Sequence, residues 1–470
     1  MTAPQGLEAL SATVWRDLEL LDHHSPSWVR SREGVFDVVI VGGGQSGLGA
    51  AFGLMREKVR NILVVDENPA GLEGPWVTYA RMITLRTPKQ LTSIDFGMPS
   101  LTFRAWFEAQ HGAAAWAALD KIPRADWMAY LRWYREVLQI PLRNETRVTL
   151  IEPRQDGLFR LNLEGGGDLL ARKVVLATGI QGGGEWHTPD FIKKNLPEDR
   201  WAHTSQPIDY TALAGKRIAI LGGGASAFDN AQHALAAGVS QAHVFIRRPE
   251  LPTINPIRYM EQAGFIRHYA GLDDAAKHAV TRSFLIRNQP PTNDTFERAA
   301  AHPGFALHVE TPWRAVRPEG EAVIVTTPKG ELTYDFLVLS TGTKTDAALR
   351  AELAAVAGDI ALWKDRYQAP PGEALPAIGD HPYLGSGFEF QGRTPEGAAR
   401  LKGLFAFNYS ALVSLGLSAA ALSGLKFSLP KLVTAVTGQL FMDDRAAILA
   451  DFFAYDQPEF VGRWPRPDGD

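Results

Sequence analysis

With 470 residues, 45% of them apolar and 21% charged, the chain is too long for one ordinary hydrophobic core and has the composition of a globular enzyme of two domains. A formal net charge of −4 leaves no basic footprint for nucleic acid and no polybasic patch for a membrane surface, so neither is expected as a partner. There is no cysteine, which excludes disulfides, thiolate metal sites and cysteine nucleophiles.

Residues 1–34 read as an N-terminal helical extension, since Leu7, Leu10, Val14, Leu18 and Leu21 recur at three- and four-residue steps. No apolar run follows a basic start here. The most apolar stretch, Leu412 to Leu425, is short and rich in Ser, Gly and Ala, which suits helix packing rather than a membrane span. A cytoplasmic protein is expected.

The strand Val38–Val41 then runs into Gly42-Gly43-Gly44-Gln45-Ser46-Gly47, a helix through Met55, and a second strand, Ile62–Val65, ending on Asp66 and Glu67. Gly42 permits the tight turn, Gly44 lets the backbone approach a pyrophosphate, and Gly47 allows close packing of helix on strand. The helix start at Gln45 and Ser46 offers free N–H groups to phosphates. Asp66 lies about twenty residues beyond the last glycine, where a carboxylate accepts from a ribose diol.

Residues 69–100, rich in Pro, Gly and Thr, read as a long ordered loop of the functional kind. Helices are expected at 104–119 and 125–138, the second gathering Trp127, Tyr130, Leu131, Tyr134 and Leu138 on a core-facing side. Residues 147–176 suggest a β meander turning at Gly165-Gly166-Gly167 and closing on Ala177-Thr178-Gly179.

A polar linker, 180–215, leads to a second copy of the glycine turn. Arg217–Leu221 is followed by Gly222-Gly223-Gly224-Ala225-Ser226-Ala227, and His243–Ile246 ends on Arg247 and Arg248. Arginines at that strand end suit a 2′-phosphate, where the first copy has an acid. Two turns with opposite charge behind them ask for two dinucleotides, and FAD with NADPH is the natural pair. A return strand, Phe336–Leu339, ends on Ser340-Thr341-Gly342 and repeats the Ala177-Thr178-Gly179 ending, so the chain crosses between domains at both points. The expected fold is α/β with two Rossmann-like domains: residues 35–180 and 336–470 form an FAD domain interrupted by an NADPH domain at 195–335.

These features resemble the flavin-containing monooxygenase superfamily (class B, NADPH- and FAD-dependent). The likeness rests on the first turn, Gly74-Pro75-Trp76, Leu176-Ala177-Thr178-Gly179, Lys216-Arg217 before Gly222–Ala227, and Asp335 through Gly342. One family signature, Phe-x-Gly-x-x-x-His, is degenerate here: Trp201-Ala202-His203-Thr204-Ser205 keeps only the histidine and small polar neighbours. The loop Arg81-Met82-Ile83-Thr84-Leu85-Arg86-Thr87-Pro88-Lys89-Gln90-Leu91 is similar to that of amine N-hydroxylases, in which a lysine holds the substrate carboxylate; Lys89 would be its counterpart. With the N-terminal helix and the segment around Asn408-Tyr409-Ser410 and Ser414-Leu415-Gly416, the chain also looks like a bacterial branch containing urate and amino-acid hydroxylases.

The resemblance implies that NADPH reduces FAD and that dioxygen then forms a C4a-(hydro)peroxyflavin, shielded from water while NADP⁺ stays bound. No metal site is expected. Arg81, Arg86, Lys89 and Gln90 are candidates to line the pocket, with Arg86, Lys89 and Gln90 as the catalytic set; cations there would orient an anionic or carbonyl-rich substrate. Their bland alternative is a salt-bridged surface. Trp76 packs either beside the flavin or in ordinary core. Asn408 and Ser414 approach the flavin from the C-terminal segment, with a helix starting near Ser414 aimed at its pyrimidine oxygen. His203 belongs to the linker or contacts NADP⁺. Cofactor contacts are expected from Gly42, Gly44, Gln45, Ser46, Gly47, Asp66, Glu67, Trp76, Thr178, Gly179, Gly222, Gly224, Ala225, Ser226, Arg247, Arg248, Thr341 and Gly342.

The expected activity is hydroxylation of a small polar amine, amino acid or N-heterocycle with dioxygen. The rivals are Baeyer–Villiger insertion, an NAD(P)H oxidoreductase serving a quinone or partner protein, and a redox-sensing module. The aromatic helices at 104–138 leave a homodimer interface open as an alternative to core.

Overall fold

In the computed structural model, which describes residues 6–419 and 421–462, two sheets, the first mixed and the second parallel, carry the two glycine turns. The first sheet runs Leu142–Arg143, Ile62–Val65, Phe36–Val41, Asp168–Leu176, with Phe159–Leu163 and Val148–Pro153 continuing it antiparallel. Leu404–Ala406 returns from the C-terminal segment to pair in parallel with the end of Asp168–Leu176. Val38, Val39 and Ile40 are fully buried, as befits a parallel strand covered on both faces. The helix Gln45–Arg56 lies on this sheet beneath the long C-terminal helix Leu422–Ala454. Gly49 and Gly53 make that approach possible, because a Cβ on either would meet Leu429 or Val433 at 2.6 Å.

The second sheet runs Phe305–His308, Gln241–Phe245, Arg217–Leu221, Phe336–Leu339, Trp201–His203, every pair parallel. This corrects the expected boundary. Phe336–Leu339 is a strand of the second sheet, not the start of the returning FAD segment, so the division falls beyond Gly342. An apolar run announces a strand but not which sheet receives it. Nor is 180–215 a mere linker: Trp201–His203 is an edge strand, and Ile192 and Leu196 are core. The two crossing segments find each other, Gly184–Trp186 pairing antiparallel with Thr343–Thr345.

The N-terminal helix Leu7–Leu20 buries Leu10, Val14 and Leu18; Leu21 falls just past its end and is 52% exposed. Helices Phe103–Ala118 and Arg124–Val137 form an aromatic core in which the Tyr130 and Tyr134 hydroxyls donate to the carbonyls of Leu101 (2.6 Å) and Ile94 (2.7 Å). Each ring is buried with its polar end satisfied. That face is therefore consumed by the monomer and is not a dimer surface. Under the first sheet, Arg172 is 2% exposed between two buried carboxylates, Asp37 (3.3 Å) and Asp444 (2.8 Å), tying the central strand to the C-terminal helix. No helix among the described residues is long and apolar enough to cross a membrane.

Candidate active site

The two turns are built alike. Gly42 has φ +109°, and a Cβ there would lie 2.5 Å from the Ala177 carbonyl oxygen; Gly222 has φ +131° and would collide with the Ser340 carbonyl. Each turn is thus pressed against the strand that ends at a domain crossing. A Cβ at Gly47 would strike the Gly42 carbonyl oxygen. Gly44 and Gly224 differ: the nearest atom to a Cβ at Gly44 is 3.9 Å away, and Gly224 has none within 4 Å. The open faces are the ones a phosphate needs. Both helices, Gln45–Arg56 and Ala225–Ala236, begin on these glycines with no side-chain cap, so their first N–H groups are free to bind anions. The residues present fit two dinucleotide pyrophosphates.

Asp66 is buried, and its carboxylate accepts from the Gly43 amide (2.7 Å), the Asn68 amide (2.8 Å) and Asn68 Nδ2 (2.9 Å). It holds the turn as its first task, leaving one of a carboxylate's roughly four acceptor sites for a ribose. Glu67 is half-exposed and pairs with Arg147 at 3.4 Å. Beside the turn lies a cavity of about 420 Å³ lined by Gly43, Leu48, Gly71, Glu73, Met128 and Arg135 among others, of the size expected for a nucleotide portion. Glu73, 4% exposed, accepts from Arg135 (2.9 Å) and Asn144 (2.7 Å) there. Sequence reading missed these residues, which carry no motif and meet only through the helix Arg124–Val137.

Around the turn, Gln45 Oε1 accepts from Trp127 Nε1 (3.1 Å), and Ser46 is buried in the first helical turn. Ala225 is buried and Ser226 half-buried at the equivalent place. Trp76 is 9% exposed, and its carbonyl accepts from the Arg124 guanidinium. Asn408, fully buried, clamps the C-terminal segment to the first crossing: its Nδ2 donates to Thr178 Oγ1 and the Gly182 carbonyl, both at 3.2 Å. Gly179 and Gly342 take φ +71° and +77°, and Thr341 Oγ1 donates to the His187 carbonyl. Ser414 is a strut: its Oγ accepts from Trp363 Nε1 (2.9 Å) and the Leu384 amide (3.1 Å). The helix there is a single turn, Leu412–Leu415, and the long helix begins only at Leu422, so no helix from Ser414 points at a flavin.

The loop cations part company. Arg86 forms an ion pair with Asp229, a 4%-exposed residue of the helix Ala225–Ala236, and so bolts the loop to the second domain. Burial pushes the Asp229 carboxyl up despite that arginine. Lys89 is engaged within the fold: its Nζ donates to the carbonyls of Trp116 (2.6 Å) and Leu119 and lies 4.6 Å over the Trp116 ring. It caps the helix Phe103–Ala118, a common employment for a lysine at a helix C-terminus. Gln90 is exposed. The structure thus gives Arg86, Lys89 and Gln90, expected as one catalytic set, three different surroundings, because loop spacing cannot show which way each side chain is drawn. Arg81 donates to the carbonyls of Thr78 (2.9 Å) and Ile208 (3.2 Å). Arg248 donates to the carbonyls of Ile286 (2.8 Å) and Arg287 (3.2 Å), capping the helix Asp274–Arg287; Arg247 is exposed and makes no ion pair among the described residues.

His203 is 3% exposed, contacts Ser205 Oγ at 2.8 Å through Nδ1, and lies against Trp186 with ring centroids 5.2 Å apart. Burial holds it down to about 4, as it does His381. An unfolded chain takes up protons at such histidines below about pH 6.5 while the folded one does not, so stability is complete above that pH and is lost as pH falls toward 4. His381→Phe should therefore lose less stability between pH 7 and pH 5 than wild type in urea unfolding. An equal loss would mean that His381 contributes nothing to the acid sensitivity.

Residues 39–181 match a family model described as FAD-NAD(P)-binding, and residues 115–289 one described as L-lysine 6-monooxygenase/L-ornithine 5-monooxygenase. The FAD-dependent urate hydroxylase of Xanthomonas campestris pv. campestris is 62% identical over 466 residues, 98% of each chain. Among solved structures, the reduced ornithine hydroxylase PvdA from Pseudomonas aeruginosa aligns with a TM-score of 0.68 at 19% identity, over 86% of this chain and 100% of that one. The FAD-bound cadaverine monooxygenase DfoA from Erwinia amylovora aligns with a TM-score of 0.64 at 17% identity, over 93% and 99%. At those identities the two structures share the fold.

Proposed function

We propose that urate, or a purine close to it, is the substrate of this chain, which belongs to the flavin-containing monooxygenase superfamily and hydroxylates a small molecule with FAD, NADPH and dioxygen. The observation that carries the substrate is the 62% identity, end to end, to a urate hydroxylase. When bound, FAD supplies the activation of dioxygen at the expense of NADPH.

The chain's own part is to bind, orient and exclude water. The uncapped helix start at Gln45 would hold the FAD pyrophosphate, with Asp66 on the ribose and Thr178, Gly179 and Asn408 closing the wall at the crossing. The helix start at Ala225 would hold the NADPH pyrophosphate, and Arg247 its 2′-phosphate, since Arg248 is already engaged. N-hydroxylation of an amino acid is the weaker reading, because Lys89 faces two backbone carbonyls rather than a substrate carboxylate. We place the enzyme in the cytoplasm, beside its NADPH supply. A homodimer would need a surface other than the aromatic faces of the helices at 103–137.

With purified holoenzyme, NADPH and isotopically labelled dioxygen, urate should accelerate NADPH oxidation and its product should carry one labelled oxygen. Coupling to L-ornithine instead would move the enzyme among the N-hydroxylases, and indifference to both would remove the hydroxylase reading.

A further inference from the structure

We propose that Arg81 and Arg124 form an anion subsite at the seam between the two domains, which recognises the delocalised negative charge of the substrate and excludes amines. The identity of the anion rests on the urate reading; the position of the subsite rests on geometry.

The stretch from residue 81 to 124 carries several cations, and the structure employs the others. Arg86 is paired with Asp229, Lys121 with Asp294 at 2.9 Å, and Lys89 with two carbonyls. Arg81 and Arg124 are left half-buried with no carboxylate partner among the described residues. One turn engages both. Arg81 donates to the Thr78 carbonyl and Arg124 to that of Trp76, two residues away in a turn closed by the Thr78 and Ala80 amides on the Pro75 carbonyl. The Arg124 amide is also tied to the Ile83 carbonyl. A guanidinium has five N–H donors, so most of those on this pair remain free. Arg81 Nε is buried with no hydrogen-bond partner among the described residues.

Two half-buried like charges engaged by one turn repel one another and lose part of their solvation. Burial, and then Arg81, lowers the affinity of Arg124 for its proton; His233 is lowered by burial and then by both arginines. An anion between the guanidinium groups relieves this arrangement.

The location is equally specific. Gly74, at the head of the turn, abuts the first glycine turn at Gly44, and the Tyr79 ring meets Trp186 of the crossing ribbon edge-on at 5.9 Å. On the other side Arg81 reaches the Ile208 carbonyl. Next to it, Tyr210 bonds Asn230 Oδ1 at 2.8 Å and packs edge-on to His233, both on the helix Ala225–Ala236. A molecule held by the two arginines thus borders both dinucleotide sites. Its chemistry follows: planar forks of N–H donors match a flat monoanion whose charge is spread over carbonyl oxygens and ring nitrogens, whereas an ammonium group is repelled.

The test uses the oxidised holoenzyme and reads binding from perturbation of the flavin spectrum, without turnover. Urate, an anion at neutral pH, should bind about tenfold or more tightly than uncharged hypoxanthine. Arg124→Met and Arg81→Met should each abolish most of that preference, and Arg124→Lys should restore part of it. Should Arg81→Met fail to retain flavin through loss of its Ile208 contact, Arg124→Met alone decides. Equal binding of the two purines by wild type, or an undiminished preference in Arg124→Met, overturns the subsite. If the preference behaves as expected but no labelled oxygen enters urate, the subsite stands and the urate hydroxylase reading falls.

Discussion

Gly47→Ala should give a protein that retains no flavin and unfolds far more readily than wild type, whereas Gly44→Ala should fold normally and lose flavin all the same. The two positions lie three residues apart in one turn, yet a methyl group meets different things at each. At Gly47 it strikes the Gly42 carbonyl oxygen, a backbone atom that cannot move without displacing the turn from the sheet. Overpacking of this kind costs on the order of 1–3 kcal/mol, and more when only backbone can yield. At Gly44 the nearest protein atom is 3.9 Å away, so the apoprotein should accept the methyl without loss. That space is the one a pyrophosphate would enter, and FAD affinity should fall by about tenfold or more. Thermal melting of the apoproteins and the flavin-to-protein absorbance ratio separate the two effects. A yellow, fully loaded Gly44→Ala protein would show that the cofactor does not approach this face. Gly224→Ala should behave alike toward NADPH, because nothing lies within 4 Å of its added atom either.

Arg172→Met should destabilise the fold by about 3–5 kcal/mol, the usual cost of stranding buried charge. Asp37 and Asp444 would be left facing one another without their shared cation, beneath the sheet that positions the first turn. Already in the intact protein burial raises the Asp37 carboxyl, more than the Ser31 hydroxyl and Arg172 lower it. Without the arginine the Asp37 carboxyl would titrate still further above its unfolded value. The penalty is then full above that raised value and is relieved as pH falls and the proton goes on. Urea midpoints for wild type and variant should therefore converge from pH 8 toward pH 5. A constant gap would assign the cost to lost packing around the arginine stem instead. Adding Asp37→Asn to Arg172→Met should recover part of the loss at neutral pH.

The two glycine turns were legible because their geometry is local. Gly42, Gly44 and Gly47, and their counterparts Gly222, Gly224 and Ala227, are dictated by turn geometry, and turn geometry is written in consecutive residues. The aromatic face of Arg124–Val137 was likewise plain from its helical period. The loop at 81–90 was not legible. Four polar candidates stood in one stretch, and tertiary contacts divided them: Asp229 took Arg86, the end of a helix took Lys89, solvent took Gln90, and Arg81 was left at the seam. Arg124 carried no motif whatever.

The amino-acid sequence by itself determined the two nucleotide turns, their order, the opposite charges that follow them and the two points of crossing, since each depends on spacing within about twenty residues. Only the tertiary structure decided that Phe336–Leu339 joins the second sheet, that Ser414 is a strut, and which loop cations find a carboxylate partner. The reason is physical: backbone conformation is set mainly by neighbours in the chain, whereas the fate of a long charged side chain is set by whichever distant carboxylate or carbonyl the fold brings within reach.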